Sequence, residues 1–108
     1  METASGPGLP TTVIGAYPKP GYVPVSDWLD LPDRDYAGRW ADEMNSAGTD
    51  AEPLFVRAAA EVIADQVEAG IDVVTDGEVR RENYIHYHCR HLNGFDFENR
   101  FETTMRGV

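Results

Sequence analysis

The chain has 108 residues and a formal charge of −10, with 42% hydrophobic and 26% charged residues. That is one globular unit at most, large enough for a modest core, and its negative field disfavours nucleic acid and anionic membranes as partners. No apolar run approaches the ~20 residues that span a bilayer, no signal-peptide pattern opens the chain, and the single Cys89 excludes an internal disulfide, so a reducing cytoplasm is expected.

Residues 1–10, rich in Gly and Pro, read as a flexible arm, and residues 11–108 as one folded segment. Thr11, Thr12, Val13 and Ile14, closed by Gly15, suit a short buried strand. Residues 16–24 hold three prolines and a glycine and must be loop. Trp28, Leu29 and Leu31 suggest an irregular cover over something apolar. A short helix is expected over 35–46, capped by Asp33 or Asp35.

The pairs Leu54/Phe55, Ala58/Ala59, Val62/Ile63 and Gln66/Val67 recur every four residues and draw one apolar stripe along a helix. Pro53 fits its first turn, and Gly70 fits the left-handed position past its end. Ile71, Val73 and Val74 then give a second strand, and Asp76-Gly77 turns out of it. A further helix is expected over 82–92, with Ile85, Cys89 and Leu92 inward, stopped by Asn93-Gly94. Two apolar strands joined by a helical crossover mark a parallel α/β sheet. Two strands alone cannot make a stable one, so the chain reads as part of a larger α/β domain, with a third strand expected near residues 106–108.

In such folds ligands gather at the carboxyl ends of strands. The first end is Ile14-Gly15-Ala16, followed by Tyr17; the second is Asp76-Gly77-Glu78, followed by Arg80, Arg81 and Asn83. A carboxylate there can bind a substrate amino group or act as a base, and adjacent arginines favour its ionised form. The plainer reading has Asp76 capping the turn and the arginines pairing with Glu82 on the surface. His86, His88, Cys89 and His91 form a second cluster with helical spacing. The two pairs, His86/Cys89 and His88/His91, point different ways around a helix, which favours a packed cysteine and hydrogen-bonded histidines over a zinc site.

Residues 9–18, LPTTVIGAYP, and residues 66–83, QVEAGIDVVTDGEVRREN, resemble the first strand and the second strand with its loop in the catalytic barrel of cobalamin-independent methionine synthase. Residues 91–97, HLNGFDF, resemble a run in the short single-barrel members. The resemblance implies the first two βα units of a (β/α)₈ TIM-type barrel. It also implies a methyltransferase in which zinc activates a thiol such as homocysteine, or another thiol with another alkyl donor. Ile14, Gly15 and Ala16 match the segment touching the amino-acid substrate, and Glu78 matches the glutamate holding its amino group. Tyr17, Asp76, Arg81 and Asn83 stand behind them. Position 16 is usually serine in the synthases, and here it is alanine.

The family's zinc ligands, a His-x-Cys pair, a glutamate and a further cysteine, belong to later strands and have no counterpart in these 108 residues. No metal ligand is therefore assigned to this chain. A barrel closes only with all its strands, so the resemblance implies a larger barrel-completing subunit that carries the zinc. The alternative is a non-catalytic module that kept the amino-acid or thiol site.

Overall fold

The computed structural model describes residues 8–27, 35–83 and 85–99. The expectations for the arm over 1–7, for Trp28, Leu29 and Leu31, for an Asp33 cap and for a third strand near 106–108 lie outside these residues.

Helix α1 spans Tyr36–Ala47. Of the two candidate caps, Asp35 serves: its Oδ1 accepts from the Gly38 amide at 3.2 Å. A single 3₁₀ turn, Gly48–Asp50, leads directly into α2, Ala51–Glu68. The buried positions of α2 are Ala51, Phe55, Ala58, Val62 and Gln66, spaced by four, three, four and four, which is one helical stripe. The stripe is narrower than the paired pattern suggested, because Val67 is 63% exposed. The helix ends as Gly70 demands. At φ +83°, Gly70 donates to Val67 O at 3.1 Å and Ile71 donates to Gln66 O at 3.0 Å, the double bond of a Schellman motif.

The core runs along that stripe in two clusters. Val25, Ala51 and Phe55 pack with Val23, Trp40, Met44 and Ala47. Ala58, Val62 and Val79 pack with Tyr17, Tyr22, Val23 and Ala59. The proline-bearing loop thus lies against α2 on one side, and the segment after the second strand end lies beside it.

Neither the strand expected over 11–14 nor the one expected from Ile71, Val73 and Val74 forms among the described residues, and the two segments meet at a single point. Thr12 and Val73 form one isolated parallel bridge, with Val73 N donating to Thr11 O at 2.9 Å. Side chains reinforce the register: Thr12 Oγ1 donates to Val73 O at 2.7 Å, and Asp72 Oδ2 accepts from Thr11 N at 2.7 Å. The chain between the two bridged residues runs through α2. The expectation of a buried strand over 11–14 is overturned. Ile14 is 100% exposed, and Val73 and Val74 are 43% and 36% exposed. A parallel strand is buried only when strands flank it and layers cover both faces, and the described residues offer α2 alone.

The helix expected over 82–92 is also corrected: α3 is only His86–Arg90. Asn83 Oδ1 takes the Ile85 and His86 amides at 2.7 and 3.1 Å, a side-chain turn that holds the backbone out of the helix until residue 86. Ile85 and Leu92, expected inward, are 49% and 60% exposed. Asn93-Gly94 does turn the chain, with Gly94 at φ +97°.

Candidate functional site

A hydrogen bond from Tyr17 N to Gly77 O, 2.9 Å, ties the two strand ends together. Between them opens a cavity of about 280 Å³, lined on one side by Ile14, Gly15, Ala16, Lys19 and Asp27 and on the other by Glu78, Arg81, Glu82 and Asn83. That volume takes a molecule of amino-acid size.

The turn that carries Glu78 is built by local hydrogen bonds and braced from below by Gln66. Gly77 sits at φ +69° and Glu78 at φ +57°. Gly77 N donates to Thr75 Oγ1 at 3.1 Å, and Glu78 N donates to Asp76 Oδ1 at 2.9 Å, which pins two successive left-handed residues. Below them Gln66, 3% exposed, reaches out of the apolar stripe. Its Nε2 donates to Val62 O at 3.0 Å and to Thr75 O at 2.8 Å, while its Oε1 accepts from Thr75 N at 3.0 Å. The amide replaces a missing strand neighbour for Thr75. Gln66→Leu strands both polar groups of Thr75, so urea unfolding is expected to show a loss of about 2 kcal/mol.

Glu78 pairs with Arg81 at 3.1 Å, both side chains about a quarter exposed, and Arg81 lies over the Tyr87 ring at 5.2 Å. The arginines do not pair with Glu82, as the plainer reading had it. Arg80 turns away to a two-pronged bond with Glu52, 2.7 Å on each arm, and Glu82 takes Arg90. The Arg80 guanidinium holds the Glu52 carboxyl below its ordinary range. A carboxyl depressed in the folded state adds stability above its unfolded pKa, and that stability is lost as pH falls through the folded value. Glu52→Gln is expected to flatten the acid limb of a stability-versus-pH curve, read from urea midpoints.

Tyr17 and Asp76 frame the site rather than line it. The Tyr17 hydroxyl donates to Asp65 Oδ2 at 2.8 Å, and that bond pushes its pKa above the ordinary phenol value. Ile14, Gly15, Ala16, Glu78, Arg81 and Asn83 share the cavity. Lys19 and Asp27 were not singled out in the sequence, and Glu82 only as a surface partner for the arginines. Lys19 lies 3.6 Å from Asp27 with its side chain 9% exposed, and the signal for it was a lone cation between two prolines just past a strand end.

Residues 9–105 match the cobalamin-independent synthase catalytic domain. The chain belongs to that family. Among its relatives, a methionine synthase of Saccharolobus islandicus (strain Y.N.15.51 / Yellowstone #2) is 40% identical over 91 residues, covering 84% of this chain and 24% of the relative. Methionine synthases of Sulfolobus acidocaldarius and Saccharolobus solfataricus are 42% and 38% identical over 89 and 91 residues, covering 82% and 84% of this chain and 23% and 24% of each relative. The chain therefore spans about a quarter of the length of these relatives. No solved structure matches it.

The chain is part of a cobalamin-independent synthase catalytic domain. The family uses zinc; among the described residues no three His, Cys, Asp or Glu are grouped to hold a metal ion. The histidine cluster has other contacts. His91 Nδ1 lies 2.8 Å from Tyr87 O, His88 meets the edge of Tyr87 and His86 meets Phe97. No helix among the described residues is long and apolar enough to cross a membrane.

Proposed function

We propose that this chain supplies the first two βα units and the amino-acid-binding wall of a zinc-dependent thiol methyltransferase. The metal ligands and the methyl-donor site lie on a second, larger polypeptide. The observation that carries this reading is the cavity itself, which residues 14–16 and Glu78 line together.

Two features support it. The matched family is that of the synthase catalytic domain. Ile14, Val73 and Val74 leave apolar surface uncovered beside the parallel bridge, where further strands and their helices would pack.

In this role Glu78 accepts from the substrate ammonium, and its pair with Arg81 orients the carboxylate. Ala16 has no hydroxyl to offer, so the first strand end contributes backbone groups only. The acceptor is a thiol such as homocysteine, and the chemistry at sulfur belongs to the second polypeptide.

Calorimetry and a methyl-transfer assay on the purified chain test the division of labour. L-Homocysteine is expected to bind without methyl transfer from a folate donor. Turnover by the chain alone would overturn the division, and absence of binding would overturn the amino-acid wall.

A further inference from the structure

Asn83 has so far explained only a turn. It lines the cavity and is 7% exposed. Its Oδ1 accepts from the Ile85 amide at 2.7 Å and from the His86 amide at 3.1 Å. Only the oxygen of a carboxamide can accept from two N–H groups, so the orientation of the side chain is fixed and Nδ2 forms its other arm. Among the described residues nothing accepts from Nδ2, and it is not one of the enclosed, unpartnered atoms to which Glu82 Oε2 belongs. It therefore keeps surface at the cavity wall. The turn asks only for the oxygen, which an aspartate would supply as well. The amide nitrogen is the part of Asn83 that the fold does not use.

The charges around the cavity say what Nδ2 would meet. Glu78 is paired with Arg81, and Glu82 with Arg90, so both acids on that wall are compensated. On the opposite wall Lys19, its side chain 9% exposed, stands 3.6 Å from Asp27, which is longer than a hydrogen bond from nitrogen to oxygen. Ala16 has no polar side-chain atom to add. We infer that Asn83 is a specificity-determining residue, whose Nδ2 donates to a carboxylate of the bound molecule while Lys19 supplies the charge that favours the anion. This inference rests on the amino-acid site proposed above. A ligand without the carboxylate leaves the amide donor unpaired, and selectivity follows from that loss.

Asn83→Asp separates the two jobs of the side chain, because it keeps an oxygen for the Ile85 and His86 amides and exchanges the donor for an acceptor. Calorimetry on the full chain compares L-homocysteine with 3-aminopropane-1-thiol, the same molecule without its carboxylate. Asn83→Asp is expected to keep the urea midpoint of the parent, to weaken homocysteine about tenfold or more, and not to weaken 3-aminopropane-1-thiol. Should the variant not fold, the side-chain amide resonances of Asn83 in the unmodified, nitrogen-15-labelled chain decide the matter. They are expected to shift with homocysteine and to stay in place with 3-aminopropane-1-thiol. Equal losses for both ligands, undiminished homocysteine binding by the folded variant, or amide resonances indifferent to homocysteine would each overturn the role of Asn83 alone. No homocysteine binding by the unmodified chain would overturn the underlying site as well.

Discussion

Gly77→Ala is expected to destabilise the chain by about 3 kcal/mol, the largest loss from removing no contact at all. Two costs add. The residue sits at φ +69°, where a side chain strains the backbone by roughly 1 kcal/mol or more. An added Cβ would also stand 2.7 Å from Val62 Cγ1 and 2.8 Å from Tyr17 Cβ. Neither neighbour can yield easily. Val62 is 1% exposed in the core of α2, and Tyr17 is tied by its amide to Gly77 O and by its hydroxyl to Asp65. The first strand end would therefore be pushed from the second, and the cavity between them would lose its shape. Urea unfolding measures the stability, and homocysteine calorimetry on any folded fraction measures the site. Loss of less than about 1 kcal/mol would show that the close approach of the two strand ends is not real.

Glu78 is expected to behave in the opposite way, as a residue that matters for the ligand and little for folding. Glu78→Gln removes the charge and is expected to weaken L-homocysteine by about tenfold or more. Glu78→Gly is expected to abolish the same contact while leaving stability within about 1 kcal/mol of the parent. The left-handed backbone at φ +57° is relieved by glycine, and this roughly offsets the lost pair with Arg81, a partly exposed contact of small worth. A non-glycine residue held in that conformation at a cavity wall is what a functional constraint looks like. Substantial destabilisation by Glu78→Gly would mark Glu78 as structural instead.

The long helix and its exits were the most legible part of the sequence. Its four-residue repeat, Pro53 and Gly70 all act locally, so they speak without knowledge of the rest. The turn at Asp76-Gly77 was legible for the same reason, because a glycine and an Asx turn act within the segment itself. What stayed hidden was decided at a distance. Gln66 looked like the ragged end of an apolar stripe, and only the approach of Thr75 gives its amide a purpose. Arg80 found Glu52, 28 residues away, rather than a neighbour. The burial of residues 11–14 was overestimated because β-branched residues announce a strand but not the layers that would cover it.

The most direct measurement is methyl transfer by a chimera. The matching 91-residue stretch of the Saccharolobus islandicus methionine synthase is replaced by the corresponding residues of this chain, and homocysteine methylation is assayed. The account predicts an active chimera whose KM for homocysteine rises about tenfold or more with Glu78→Gln. A folded chimera that transfers no methyl group, or one indifferent to Glu78→Gln, would contradict it.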